Sequence, residues 1–178
     1  MDKIIEFSHR LLTEKVNKED TVIDATLGNG KDSLFLSQLA SKVYSFDIQK
    51  EAIETSKQFL IKQSNIEYIN DSHENVLSYV KEEVKAAIFN LGYRPGGDKN
   101  IFTHPNSTIN AITNIIKLLK KKGIIVIVLY PGFVDGKKEA DEVTSFLSTL
   151  NQNEFDVVEY RFINQINNPP YLLAIEKR

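Results

Sequence analysis

The chain has 178 residues, enough for one ordinary hydrophobic core that buries about 70% of the surface exposed by the unfolded chain. With 42% apolar and 26% charged residues it is composed like a soluble globular protein, and its lack of cysteine excludes disulfides, thiolate metal sites and cysteine nucleophiles. The formal charge of −2 offers no global attraction to a polyanion, so a nucleic-acid partner must be held by a local patch.

The longest apolar run, Ile124 to Tyr130, is too short to cross a bilayer, and the start of the chain lacks a basic-then-apolar leader. We therefore expect a cytoplasmic protein with no membrane partner. Three scattered histidines, His9, His73 and His104, give no zinc pattern, and no metal is expected.

In chain order, strand-like runs cover Thr21 to Thr26, Lys42 to Asp47, Ile66 to Ile69, Ala86 to Leu91 and Gly123 to Tyr130. A helical pattern begins near Lys31. A second runs from about Ser107 to Lys121, with Ile109, Ile112, Ile115, Ile116 and Leu119 on one face, and a third from about Lys138 to Leu150. This alternation predicts parallel strands with right-handed crossovers and helices on both faces of the sheet. The end of the chain changes the rhythm: Phe155 to Asn164 and Tyr171 to Lys177 are separated by too few residues for a crossover, which predicts a terminal antiparallel hairpin. The expected whole is one α/β domain, residues 1–178, with a seven-stranded, mostly parallel sheet.

Four stretches carry chemistry, and each follows a strand. Asp24-Ala-Thr-Leu-Gly-Asn-Gly-Lys-Asp32 is a glycine turn between a strand and a helix, the place where open α/β sheets bind ligands. Gly28 and Gly30 allow a tight turn, and a β-carbon at either is expected to occupy ligand space. A dinucleotide fingerprint needs Gly or Ala where Ser33 stands; a plain strand-to-helix turn is the alternative. Phe46-Asp-Ile-Gln49 places a carboxylate, Asp47, where it can accept from both ribose hydroxyls of an adenosine, or where it simply caps the next helix. Asn70-Asp-Ser-His-Glu-Asn75 suits contacts to an adenine edge or the methionine end of a cofactor, or a helix cap. Phe89-Asn-Leu-Gly-Tyr-Arg-Pro-Gly-Gly-Asp-Lys99 ends a strand in Asn90 and opens into a glycine-rich loop, where active sites often lie. The Asn90 carbonyl can accept from an amine and orient its lone pair; Tyr93 can stack on a flat substrate.

Together with Asn168-Pro-Pro170, these motifs resemble the small YtqB-like family that carries the label rRNA methylase. The likeness spans essentially the whole chain, Ile4 to Glu176. It implies a Rossmann-like class I methyltransferase fold, S-adenosylmethionine as cofactor, and methylation of the amino group of 5-aminomethyluridine at the tRNA wobble position. It also implies that Gly28, Asn29, Gly30 and Asp32 border the methionine half of the cofactor, that Asp47 and Gln49 hold its ribose and adenine side, and that Ser72 and His73 line its far side. Asn90 and Tyr93 would face the transferring methyl as catalytic residues. Amino-methyltransferases usually carry an Asn-Pro-Pro-Tyr or Asp-Pro-Pro-Tyr motif after the fourth strand; here Asn90-Leu-Gly-Tyr93 stands there, while Asn168-Pro-Pro-Tyr171 lies in the terminal hairpin and could overhang the entrance.

The partner expected is a tRNA anticodon stem-loop, with Arg94, Asp98, Lys99, His104 and Tyr130 as substrate contacts and Phe102 and Phe133 as further stacking platforms. Lys117, Lys120 to Lys122, Lys137 and Lys138 offer phosphate contacts, although Lys120 to Lys122 read more readily as cations ending a helix. Asp98, Tyr93 and His73 are candidate proton acceptors. A chain this small is expected to work as a homodimer. Other readings are an rRNA or small-molecule amine methyltransferase, a nicotinamide oxidoreductase, or a non-catalytic nucleotide-binding module.

Overall fold

The computed structural model of the chain describes residues 1–92, 96, 98 and 101–178. Its strands are β1 (Thr21–Asp24), β2 (Lys42–Phe46), β3 (Ile66–Ile69), β4 (Val84–Asn90), β5 (Leu119–Leu129), β6 (Phe155–Tyr160) and β7 (Tyr171–Lys177). They form one seven-stranded sheet in the order β3-β2-β1-β4-β5-β7-β6. The first five are parallel, and β7 is inserted antiparallel between β5 and β6. The ten residues 161–170 cannot carry a crossover back across the sheet, so the chain reverses and β6 pairs β7 from Phe155↔Lys177 to Tyr160↔Leu172.

The helices are α1 (Ile4–Lys15), α2 (Lys31–Ser37), α3 (Lys50–Phe59), α4 (Val76–Tyr79), α5 (Pro105–Leu118) and α6 (Val134–Leu147). Strand residues alternate between two cores. Val22, Ala86, Ile88, Val126 and Val128 pack with Ile4 and Leu12 of α1 and Leu36 of α2. Ile23, Ala87, Phe89, Ile125 and Ile127 pack on the opposite face with Ile112 and Ile115 of α5 and Val143 of α6. The strands therefore read as continuous apolar runs because both faces are covered. Each fully buried Ile or Phe stabilises the sheet by about 1.5–3 kcal/mol.

Three expectations are corrected. Helix α1 has no counterpart in the periodicity reading: its buried line, Ile4, Ser8 and Leu12, carries a serine at its centre, whose hydroxyl turns back to Ile5 O at 2.7 Å. Helix α6 begins at Val134, ahead of Lys138, and ends at Leu147. Helix α5 stops at Leu118, so Lys120 to Lys122 belong to β5 and do not close a helix. Lys122 takes a left-handed φ of 59° there, and the β4–β5 register jumps between Val84 and Ala86. Lys117 lies in the last turn of α5, and β7 brings a second cation there, Lys177, whose Nζ donates to Leu119 O at 2.8 Å and reaches Ile116 O at 3.5 Å.

Strands β1 and β4 are neighbours, but β1 leads outward to β2 and β4 leads the other way to β5. Their carboxyl ends diverge there and open a crevice. Lys120 to Lys122 sit at the amino end of β5, the opposite edge, and two of them are tied down: Lys120 to the buried Asp20 at 2.9 Å and Lys122 to Glu176 at 3.8 Å.

Replacing Lys177 with Met should cost about 1–2 kcal/mol in urea unfolding, because the carbonyls at the end of α5 lose a charged donor. The same change at the exposed Lys121 should stay within about 0.5 kcal/mol.

Candidate functional site

The turn from β1 to α2 is built around two left-handed glycines, Gly28 (φ 51°) and Gly30 (φ 78°). A β-carbon on Gly28 would meet only Thr26 O, at 3.8 Å, and the residue lines the crevice. Gly30 differs from the expectation: it is absent from the lining, and a β-carbon there would press on Leu60 Cδ1 and Ser56 Oγ, each at 3.0 Å. Its missing side chain lets α3 approach; ligand space is not the reason.

Asp47 fastens this turn to its neighbour. Gly28 N–H donates to Asp47 Oδ2 at 2.9 Å, and Gln49 N–H, at the start of α3, donates to Asp47 Oδ1 at 2.8 Å. Asp47 thus holds the residue that precedes α3 without capping the helix, whose N-cap, Gln49, has no side-chain cap bond, and Asp47 lines the crevice with Ile48 and Gln49.

Beneath the turn lies a set of polar groups that packing would otherwise forbid. Asp24 is fully buried and accepts from Thr26 N–H at 3.1 Å and from Ser33 Oγ at 2.6 Å; Ser33 Oγ also meets Ser45 Oγ at 2.7 Å. Burial, and then the nearby Asp32 carboxylate, raise Asp24 from 3.8 to about 7. Asp32, on the first turn of α2, lines the crevice and is nearly buried. Its Oδ1 bonds His9 Nε2 at 2.8 Å and its Oδ2 accepts from Asn90 Nδ2 at 3.1 Å. Tyr130, at the end of β5, is a further neighbour: burial and Asp32 push its hydroxyl up to about 12, opposed by a hydrogen bond from Asn90. Because the Asn90 nitrogen donates to Asp32, its Oδ1 is the accepting edge of the amide.

Across the crevice, Ser72 caps the single turn His73–Asn75, while Asp71 accepts from Ser72 N–H, Asn75 and Tyr79 and is held below the usual carboxylate range by those bonds, Tyr79 first. The capping alternative is thus met for Ser72, which together with His73 also faces the crevice. His73 Nδ1 shares a 2.9 Å hydrogen bond with Ala25 O, so the ring donates there and Nε2 carries a lone pair. That Nε2 is buried without a hydrogen-bond partner. Burial pushes the imidazole below its ordinary value, which keeps it neutral.

The loop leaving β4 is closed at its neck. Gly92 N–H donates to Thr103 Oγ1 at 2.8 Å and Thr103 N–H to Gly92 O at 3.0 Å. Thr103 Oγ1 then donates to Glu139 Oε2 at 2.6 Å, and Thr108 Oγ1 to Glu139 Oε1 at 2.7 Å. Glu139, on α6, is buried, and that burial raises its carboxyl above the ordinary value.

These walls enclose a cavity of about 950 Å³. Gly28, Asn29, Asp32, Asp47, Gln49, Ser72, His73, Asn90, His104 and Tyr130 of the expected site line it together with Phe102 and Phe133. Asp98 is exposed and lies outside the lining. Tyr93, Arg94 and Lys99 fall outside the described residues. Residues Asn167 to Pro170 of the hairpin loop also reach the cavity, with Asn167 (φ 63°) and Asn168 (φ 47°) turning the chain over it. Sequence reading missed His9 and the Thr103–Glu139 neck. A histidine in a helix ahead of the first motif and a glutamate in a surface-type helix give no local sign; the charged residue inside the buried stripe Gly136, Ala140, Val143 was the available one.

The chain resembles known proteins along most of its length. Residues 43–176 match the family described as "Putative rRNA methylase". The chloroplastic tRNA (mnm(5)s(2)U34)-methyltransferase of Arabidopsis thaliana is 32% identical over 92% of this chain; the chain spans 65% of that protein. A crystal structure of a "putative rRNA-methylase" from Clostridium thermocellum superposes with TM-score 0.98 at 40% identity, covering 100% of this chain and 99% of that one. A "putative methyltransferase" from Streptococcus mutans, solved in complex with SAH, gives TM-score 0.94 at 40% identity, with 100% and 99% covered.

Asp24 makes stability depend on pH. Its folded value lies above the unfolded one, so the folded state keeps the proton longer; this stability is complete below about pH 4 and is lost as pH rises through about 7. Asp24→Asn should remove a decline on the order of a few kcal/mol across that window. Urea midpoints of both proteins at several pH values check this, and Glu139, present in both, cancels in the difference.

Proposed function

This chain belongs to the family described as "Putative rRNA methylase", and from that membership we propose that it methylates the aminomethyl nitrogen of 5-aminomethyluridine at the tRNA wobble position. Methyl transfer from S-adenosylmethionine is the family's chemistry, and the substrate follows the Arabidopsis relative. The observation that carries the reading is Asn90: an amide at the end of β4, nitrogen bound to Asp32, oxygen left to accept, on the wall of a cavity large enough for a nucleoside cofactor and a flipped base.

The described residues fit the cofactor. Gly28 presents backbone where a side chain would fill the cavity, Asp47 supplies carboxylate oxygens beside it for ribose hydroxyls, and the buried Nε2 of His73 is a lone pair in need of a donor. Gly28, Asn29 and Asp32 would hold the methionine half, Asp47 and Gln49 the ribose and adenine side, and Ser72 and His73 the far side. When bound, S-adenosylmethionine supplies a methyl group made electrophilic by its sulfonium.

The protein's part is positioning. A primary amine needs no strong activation beyond loss of its ammonium proton, and alignment supplies most of the acceleration. Asn90 Oδ1 accepts an N–H of the amine and aims its lone pair; Tyr130, held protonated by burial, serves as a neutral donor on the same wall. Phe102, Phe133 and His104 form an aromatic wall, with Phe102 and His104 centroids 4.7 Å apart, that suits stacking on an extruded base. Tyr93, Arg94 and Lys99 remain proposed contacts of the anticodon loop.

Incubation with S-adenosylmethionine and tRNA from cells lacking the enzyme should add about 14 mass units to 5-aminomethyluridine, the replacement of hydrogen by methyl. Methylation of rRNA or a free amine in its place would defeat the reading. Asn90→Ala should lower turnover roughly a hundredfold with SAH affinity changed less than about threefold, as expected for a residue acting on alignment.

A further inference from the structure

Asn90 can present its oxygen to an amine only if its nitrogen is held the other way, and the structure shows what holds it. Asp32 Oδ2 takes the Asn90 Nδ2–H at 3.1 Å, while Asp32 Oδ1 is tied at 2.8 Å to His9 Nε2. His9 comes from α1, 23 residues from Asp32, and lies outside the cavity lining. Its ring lies flat on Phe35 of α2, centroids 3.9 Å apart and 5° from parallel. Thr13 Oγ1 donates to the His9 carbonyl and so fixes that turn of α1 as well. Asp32 has two oxygens and two such partners, so losing one frees the carboxylate to rotate and the amide of Asn90 to flip.

We propose that His9 is a positioning residue for methyl transfer: through Asp32 it holds the Asn90 carboxamide in the one orientation that offers Oδ1 to the substrate nitrogen. It does so without touching cofactor or substrate. The chain His9–Asp32–Asn90 joins α1, α2 and β4. The proposal rests on the amine-methyltransferase reading for its kinetic consequence, though not for its geometry.

Two substitutions separate the hydrogen bond from the ring contact. His9→Phe keeps a ring on Phe35 and removes the donor; His9→Gln places an amide N–H near the former Nε2 and removes the ring. In SAH-bound protein, the Asn90 side-chain amide signals in a proton–nitrogen spectrum, identified by their loss in Asn90→Asp, should move in His9→Phe and return in His9→Gln. Turnover on aminomethyl tRNA should fall at least about tenfold in His9→Phe with SAH affinity within about threefold, and His9→Gln should recover most of it. Unmoved Asn90 signals in His9→Phe would overturn the proposal. So would SAH affinity falling in step with turnover, which would make His9 a cofactor contact, or His9→Gln being as impaired as His9→Phe. If the unaltered enzyme leaves aminomethyl tRNA unmethylated, the functional reading fails by itself, and the amide signals still decide the role of His9.

Discussion

Asp24, Asp32 and Asp47 crowd around one glycine turn at the end of β1, and the site is organised by the need to keep these carboxylates there. A carboxylate removed from water is costly unless hydrogen bonds replace its hydration. Asp47 takes two backbone N–H groups, Asp32 takes His9 and Asn90, and Asp24 takes a backbone N–H and Ser33. The first two arrangements are open to the cavity on one side, and the third is sealed. That difference in access separates the two carboxylates that line the cavity from the one buried beneath them.

The same economy of polar groups recurs on the other wall. Glu139 is buried in α6, yet both its oxygens are satisfied by threonine hydroxyls, and Thr103 passes the connection to the backbone of Gly92. The loop after β4 thus springs from a neck whose position is set by a helix far along the chain. Across from it, His73 keeps one nitrogen engaged with the end of β1 and the other bare and buried. A bare buried acceptor is uncommon in a folded protein and fits a site built to receive a donor.

Charge placement argues for a local substrate contact. The lysine-rich start of β5 lies on the edge away from the cavity and is partly neutralised by Asp20 and Glu176, while Lys137 and Lys138 pair with Asp141 and Glu142 along α6. Among the described residues, the cavity is lined by Phe102, His104, Phe133, Asn167 and Asn168, with Lys31 as a cation.

Local patterns in the chain were sufficient for the strand positions, the parallel order with its terminal hairpin, and the four motifs that converge on the cavity, because apolar runs, glycines and the carboxylate after a strand act within a few residues of themselves. Whether Gly30 spares a ligand or a helix, which groups meet the end of α5, and which groups hold Asp32 depended on partners 23 to 58 positions away. His9 and Lys177 carry no local mark of those roles. Only when the sheet brings α1 beside α2, and β7 beside the end of α5, do distance and burial give an ordinary histidine and an ordinary lysine their work.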